Sequence, residues 1–378
     1  MVFAVLLLGG ILGSVHYYAW TRLVRDAQLP PPWSTVAAWT LFSLAALLVV
    51  AMASSFFLPK SLSSPLLWAA YVWMGLAFFV VVLLAVTDLA QLVTRLGGLA
   101  TDLPALEPER RVFLKRSIAA VVALAAIGLG IAGLGEGLAR VRVKKIRVSL
   151  RRLHPQRVGY KIVQLSDIHV GPTIGRAFIE EIVAQTNALA PDMVVITGDL
   201  VDGRLHALRD AVAPLASLKA KDGVFFVTGN HEYYSGVEEW LEYLPTLGIR
   251  VLRNERVVIG SGPDAFEIAG VDDWSAHPDL PRALAGRDRG RVLILLAHQP
   301  KQIFEAAQAD VDLQLSGHTH GGQLFPFNLL VRLQQPYVAG FAMHEGTAIY
   351  VSRGTGYWGP PMRLGSPAEI THIELAMS

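Results

Sequence analysis

Four stretches of nearly unbroken apolar sequence, 2–20, 35–58, 66–87 and 117–135, constrain this chain more than any other feature in it. Each is close to the ~20 residues that a helix needs to cross the hydrocarbon of a bilayer. A backbone in lipid must satisfy its own N–H and C=O groups, so runs of this kind fold as helices. One such run can be a buried helix of a soluble core. Four in succession read as an all-α bundle of four transmembrane helices. Trp20, Trp33, Trp68 and Tyr71 lie toward their ends, where amphipathic rings favour the interface. Pro30, Pro31, Pro32 and Pro59 break the chain between spans. Gly128, Gly130, Gly133, Gly135 and Gly137 in or just after the last stretch either permit close helix approach or mark the loose end of a signal-like segment. His16, beside Tyr17 and Tyr18, reads as an interfacial residue.

The loops set an expected orientation. Arg22 and Arg25 follow the first span, Lys60 lies in the second loop, and Arg95, Arg110, Arg111, Lys115 and Arg116 precede the fourth span. Positive loops stay in the cytoplasm, which puts the carboxy-terminal two-thirds outside, in an extracytoplasmic compartment. The run Arg110–Lys115 ahead of the fourth span also has the form of a twin-arginine export signal. Arg140, Arg142, Lys144, Lys145 and Arg147 on the far side of that span argue the other way, for a cytoplasmic domain. With no obvious cleavage site after the span, the expected product is an uncleaved protein integral to the membrane.

Past residue 137 the composition changes. The chain is 52% hydrophobic and 17% charged overall, and most of the apolar excess lies in the first third. A net charge of +2 gives no footprint for a nucleic-acid partner. Cysteine is absent, which excludes disulfides and thiolate ligands. Val141, Val143, Ile146 and Val148 alternate with basic residues as a half-exposed strand whose basic face rests on anionic headgroups or stays in water. Further strands are expected at 160–165, 192–197, 223–228, 265–271, 291–297, 311–315, 347–352 and 369–375, with helices near 174–190, 204–218, 236–246 and 300–309. Early alternation of the two suggests βαβ units; the later strands, with fewer helices, suggest a second, mixed sheet, all within the α/β class.

Five short pieces punctuate this pattern: Asp167-Ile168-His169, Gly198-Asp199-Leu200-Val201-Asp202, Gly229-Asn230-His231-Glu232, Ala297-His298-Gln299 and Gly317-His318-Thr319-His320. Each follows an apolar run, so each candidate ligand lies just past the carboxyl end of a strand, where open α/β sheets place their sites. Alternate side chains of extended chain point the same way, so Asp167 and His169 can share one metal, and His318 and His320, ~6.6 Å apart along a strand, can serve two. Asp199 has two oxygens with which to bridge both ions, and Asn230 offers a neutral one. Imidazole and oxygen ligands favour two divalent ions such as Mn, Fe or Zn over Mg or Ca. Water shared by such a pair loses its proton near neutral pH, and the resulting metal-bridging hydroxide can attack phosphorus in line. His231, pointing away from Asn230, is the candidate for stabilising the transition state and protonating the leaving oxygen; Asp202 or Glu232 would orient a catalytic histidine. His154, His206, His277, His344 and His372 lack such a context and read as structural or exposed.

Taken together, the five motifs resemble those of the calcineurin-like metallophosphoesterase family, over roughly residues 158–378. The resemblance implies a four-layer α-β-β-α sandwich of two mixed sheets. It implies one metal held by Asp167, His169, Asp199 and His320, a second held by Asp199, Asn230, His298 and His318, and His231 as the catalytic histidine. The run Gly317–Gln323, Ala269-Gly270-Val271-Asp272-Asp273, Arg353–Gly356 and Gly359–Arg363 are similar to the membrane-associated bacterial branch, which includes UDP-2,3-diacylglucosamine pyrophosphatases and implies a bacterial inner or plasma membrane. Four spans depart from the single anchor usual there. The domains expected are 1–137 (four-helix transmembrane domain), 138–157 (linker and first strand) and 158–378 (metallophosphoesterase domain).

The expected function is hydrolysis of a phosphodiester or pyrophosphate bond in a lipid-linked substrate at the bilayer surface. The rival is a membrane transporter or receptor regulated by a metal-binding soluble domain; few polar residues in the spans weigh against it. The apolar run 324–331 directly after the metal-binding motif holds acyl chains, dips into the membrane or packs as core. Phe325, Tyr357, Trp358 and Arg363 are candidate substrate contacts, with Arg363 facing phosphate.

Overall fold

The apolar stretches are helical in the computed structural model, which describes residues 2–58, 60–97 and 107–378. Contacts divide the chain into two compact units, Met1–Gly135 with Gly359–Met362 and Glu136–Trp358 with Arg363–Ser378. Four long helices dominate the first: α1 (Val2–Trp20), α2 (Trp33–Phe57), α3 (Lys60–Leu96) and α4 (Pro108–Gly137). Three of them carry segments long and apolar enough to cross a membrane: Trp33–Ser54, Leu62–Thr94 and Pro108–Gly137, with mean hydropathies of 2.3, 2.5 and 2.4. The fourth expected span is α1, which is not among them. Leu48 and Ala51 of α2 pack on Leu67 and Ala70 of α3. Polar side chains close on one another: Asp88 accepts from Tyr18 at 2.7 Å and Arg22 at 2.8 Å, and Trp73 donates to His16 at 3.0 Å. A Cβ at Gly130 would run into Leu76, so this glycine does let α3 and α4 approach.

The second unit holds two six-stranded sheets. Its elements in order are β1 (Arg142–Leu150), β2 (Lys161–Leu165), α5 (Arg176–Ala188), β3 (Met193–Thr197), α6 (Leu205–Val212), β4 (Val224–Val227), α7 (Asn230–Tyr234), α8 (Val237–Tyr243) and β5 (Ile249–Val251), then β6 (Glu255–Ile259), β7 (Phe266–Gly270), α9 (Leu280–Ala283), β8 (Leu293–Leu296), α10 (Ile303–Gln308), β9 (Leu313–Ser316), α11 (Phe327–Val331), β10 (Gly340–His344), β11 (Thr347–Val351) and β12 (Glu369–Met377). One sheet runs β1-β12-β2-β3-β4-β5, the other β10-β11-β9-β8-β7-β6. In the first, β2 to β5 are parallel, β12 is antiparallel to β2, and β1 is parallel to β12. In the second, β7, β8, β9 and β11 are parallel and the outer strands β6 and β10 antiparallel.

The inner strands are apolar on both faces, as parallel strands covered on both sides must be. Ile162, Met193, Val195 and Phe225 point between the sheets, against Ile268, Ile294, Leu296 and Leu315. Their neighbours Val163, Val194, Ile196 and Phe226 point outward, under Ile179, Ile182, Leu208 and Trp240 of the helices. Leu293, Leu295 and Ile349 do the same on the other side, under Ile303 and Ala306. Helix, sheet, sheet and helix thus stack in four layers. β1 is an edge strand with Arg142, Lys144, Lys145 and Arg147 exposed, charges that discourage pairing with another chain. The expected helix 204–218 is α6 followed by a 3-10 turn at Ala213–Ser217, because Pro214 has no N–H to continue an α-helix. Past buried Leu324, which bridges to Leu364, the run 324–331 is neither strand nor core; it carries the short helix α11, which has no buried residue.

Candidate metal centre

Each of the five motifs leaves a strand at the same end of its sheet. Asp167 and His169 follow β2, Asp199 follows β3, Asn230 opens α7 after β4, His298 follows β8, and His318 and His320 follow β9. The chain turns abruptly at these positions. Asp167, His169, Asp199, His318 and His320 all have left-handed backbone, with φ of 51, 55, 51, 70 and 51°. L-residues other than Asn and Asp rarely adopt it, and such strain gathers at functional sites. Tight main-chain bonds hold the turns: Asp167 N–H donates to Gly198 O at 3.0 Å and His169 N–H to Asp199 O at 3.1 Å. Gly317 is small for a reason, since a Cβ there would strike the Asp167 carboxylate and Ser166 Oγ.

The seven expected ligands converge. Asp167, His169 and His320 offer ligand atoms mutually within 4.8 Å; so do Asp199, His298 and His318; and His169, Asp199 and His231 link the two groups. His169 Nε2 faces His320 Nε2 at 3.0 Å. His298 Nε2 lies 3.2 Å from Asp199 Oδ2, and His318 Nδ1 lies 3.0 Å from Asn230 Oδ1 and 3.3 Å from His298 Nε2. All but Asn230 and His318 are buried, and those two are partly so.

The charges explain what such a cluster is suited to hold. Burial raises the Asp167 carboxyl above its ordinary range. Burial pushes Asp199 the same way, but the His298 ring beside it outweighs this and holds Asp199 well below that range. Burial opposes a charge on His169, yet Asp202 and then Asp199 raise it to about 9. His318 is pulled down to about 4 by burial and by His298, and His320 is also held low, first by burial and then by His169. Two ring nitrogens at 3.0 Å repel unless a proton or a cation lies between them. Buried carboxylates need paired positive charge. A set of imidazole and oxygen donors facing one another in this way could hold divalent cations, and Asp167, His169, His320, Asp199, His298 and His318 would be their ligands.

Outer contacts orient the donors. Asp202 Oδ1 lies 2.9 Å from His169 Nδ1 and 2.7 Å from His231 Nδ1, so one carboxylate turns both rings. Thr197 O accepts from His298 Nδ1 at 2.8 Å and leaves Nε2 aimed at Asp199. Ser166 Oγ donates to Asp167 Oδ2 at 2.5 Å. Ser166 and Thr197 are contacts that sequence reasoning missed; both immediately precede a site motif, but small polar residues there carry no distinguishing signal. Tyr234 was missed too. Its ring stands 5.4 Å from His231, and Trp358 stands 6.0 Å away, both rings largely exposed.

Three expected roles change. Glu232 touches no histidine: it is fully buried and accepts N–H bonds from Gly229, Leu200, Asp199 and Val201, which makes it a clamp between two loops. Arg363 does not face an open pocket. It is fully buried and donates to Gly356 O, Ser366 O and His320 O, with one nitrogen 3.3 Å from His320 Nδ1, so it braces the metal loop. Burial pulls it down to about 10. Tyr357 is buried, with its hydroxyl donating to Thr173 O at 3.2 Å. Phe325 is exposed beside the metal loop.

The carboxylates and imidazoles at the strand ends of a two-sheet sandwich form a cluster that could hold metal, the arrangement of a metallohydrolase. The sequence pattern of the Calcineurin-like phosphoesterase family matches residues 160–322. A Bos taurus "Transmembrane protein with metallophosphoesterase domain" is 39% identical over 392 residues, covering 97% of this chain and 86% of the relative. Its Danio rerio counterpart is 36% identical over 389 residues, with 97% and 86% covered. An "Uncharacterized metallophosphoesterase" of Helicobacter pylori strain J99 is 43% identical over 276 residues, covering 71% of this chain and 73% of the relative. The chain belongs to the calcineurin-like metallophosphoesterase family, and is a metal-dependent phosphoester hydrolase with membrane helices.

Proposed function

We propose that this enzyme hydrolyses a phosphodiester or pyrophosphate bond in a lipid-linked substrate at the surface of the membrane that anchors it. One observation carries the reading: two carboxylates and five imidazoles converge in a chain whose amino-terminal unit has segments long and apolar enough to cross a membrane. We count α1 as a fourth span, because its 19 residues carry no charge. By the loop charges the catalytic unit lies outside the cytoplasm, and we take the membrane to be the plasma membrane. Mn, Fe or Zn suits the donors. The described ionisable groups Asp88 and His16 in the spans are engaged by Tyr18, Arg22 and Trp73, which favours an anchor over a transport path.

When bound, the two cations supply positive charge to the phosphoryl oxygens and acidify water. The chain's own groups do the rest. Asp167 and Asp199 set the spacing of the ligand cluster. Asp202 accepts from His231 Nδ1, which leaves Nε2 as the atom that delivers a proton to the departing oxygen. Tyr234 and Trp358 stand 5.4 and 6.0 Å from that ring, close enough to contact a leaving group. The test is hydrolysis of bis-p-nitrophenyl phosphate with added Mn by wild type, Asp199→Ala and His231→Ala. Loss of activity in both variants is expected; equal rates in all three would overturn the mechanism. Accumulation of a phosphorylated lipid in a deletion strain would identify the substrate.

A further inference from the structure

From the surface of the catalytic unit we infer that the segment 325–333, built around α11, is a bilayer-docking surface that lays the metal end of the unit on the membrane. Phe325, Phe327, Leu329, Leu330 and Leu333 all expose large apolar side chains within nine residues, Leu333 to 80% and Leu330 to 56%. Elsewhere in the unit such side chains are more scattered. Contiguous apolar surface of this kind marks a partner or a membrane. The segment holds no acidic residue and carries exposed Arg332. Its composition suits the level where acyl chains meet headgroups.

The occupant follows from where the chain enters. Glu136, in the last turn of α4, belongs to this unit and accepts Gly365 N–H at 3.1 Å. β1 begins at Arg142, five residues after α4 ends at Gly137, a reach of at most ~18 Å. Register then fixes the end of the sheet. Arg142 pairs with Glu369, and β12 runs antiparallel to β2 with Thr371 opposite Gln164. The starts of β1 and β12 therefore lie beyond Leu165, at the Asp167 end. In the other sheet Gly340 pairs with Val351, and Val351 with Ser316, so exposed Phe341 also lies at the metal end. The chain thus enters this unit at the same end as the ligands and the apolar segment. The basic run Arg140–Arg147 at that entry adds positive charge suited to anionic headgroups. A second copy or another protein would have no reason to be at this end; a bilayer does.

The segment is wired to the site. Thr319 of the metal loop donates to Val338 O at 2.6 Å. Phe325 N–H donates to Leu364 O at 3.0 Å. Gln323 accepts from Trp358 N–H at 3.0 Å and donates to its carbonyl at 2.9 Å. These bonds keep the segment next to the loop that carries Trp358 whether or not α11 is docked.

The chain has no cysteine, so single-cysteine variants can be spin-labelled without background. Full-length protein carrying Leu330→Cys, Leu333→Cys or Ser261→Cys is reconstituted in vesicles of phosphatidylcholine and phosphatidylglycerol. Ser261 is exposed just after β6, at the opposite end of the sheets. Labels at 330 and 333 are expected to collide with oxygen in preference to a water-soluble nickel chelate, and the label at 261 to do the reverse. Nickel access at 330 and 333 equal to that at 261 puts the segment in water and overturns the proposal. Shielding from both reagents means protein covers it, and overturns it equally. A second arm rests on the lipid-substrate reading: Leu330→Glu with Leu333→Glu should slow hydrolysis of a vesicle-borne phosphoester on the order of tenfold, from two lost apolar contacts. The same variant should leave a soluble diester unaffected. Membrane-exposed labels in an enzyme that cleaves only the soluble ester sustain the docking surface and defeat the lipid-substrate reading alone.

Discussion

Glu232→Gln separates the two roles that this residue can have. In the structure its carboxylate is fully buried and receives four main-chain N–H groups: Leu200 at 2.7 Å and Val201 at 3.3 Å on one oxygen, Gly229 at 2.6 Å and Asp199 at 3.0 Å on the other. Glutamine has the same shape but one acceptor oxygen. Its amide nitrogen would sit against two donors, and whichever way the amide turns, two buried N–H groups lose their partner. Each such loss costs about 1–3 kcal/mol, so the pair costs about 4 kcal/mol. Total stability for a domain is only about 5–15 kcal/mol. For a unit of this size the melting temperature should fall by about 8–16 °C. The assay is a tryptophan-fluorescence melt of the detergent-solubilised protein, paired with diester hydrolysis well below both melting points. A melt within about 2 °C of wild type, together with a large loss of turnover, would refute the clamp and return Glu232 to a catalytic role.

Asp202→Asn should leave the melt close to wild type, because this carboxylate is partly exposed, but lower turnover and Mn affinity by about 10–100-fold, since one oxygen orients both His169 and His231. Turnover within a factor of two at limiting Mn would rule that out. Metal affinity should rise with pH: His169 held at about 9 carries a proton at neutral pH in the metal-free chain, and a cation must displace it. The gain should level off above about 9, with proton release visible by calorimetry in buffers of different ionisation enthalpy; a pH-independent affinity would mean that His169 is not a ligand. Chelation should speed amide exchange at Asp167, His169 and His318 while β2 and β3 stay protected, and uniform exchange would speak against a locally strained site.

The strands most readily foreseen were those buried on both faces. Ile162-Val163 and Met193-Val194-Val195-Ile196 pack apolar side chains outward under helices and inward against the second sheet, so they stand out as unbroken apolar runs. The strands missed are edges. β10 alternates half-buried and exposed residues, β6 mixes exposed, half-buried and buried ones without a period, they include His344 and Glu255, and β5 is three residues long after left-handed Gly248. Their pairing depends on a neighbour that the sequence does not name. The convergence of these acid and imidazole residues was legible because such residues directly after apolar strands have few structural uses. Glu232 and Arg363 were misassigned for a related reason. An ionisable residue in a motif reads as chemistry, yet here Glu232 satisfies N–H groups of two loops and Arg363 three carbonyls. Which backbone groups need such a partner is decided by how distant loops meet, and composition is silent on that.

The backbone at the metal end explains why those clamps are needed. Five non-glycine residues there adopt left-handed φ, and three of them are histidines, which gain less than Asn or Asp from local bonds in that region. At about 1–2 kcal/mol each, the five together approach the net stability of a domain. Two buried carboxylates add an unfavourable desolvation of their own. Turns of this kind persist only where their surroundings over-determine them. Here the sheets fix the strand ends, Glu232 ties the 199–201 turn to Gly229, and Arg363 ties His320 to Gly356 and Ser366. The side chains furthest from the reacting groups in role thus set the geometry of those nearest to it. Placing ligands by strained main chain rather than by flexible side chains leaves them little freedom to relax toward one another, so mutually repelling donors stay in position to receive cations.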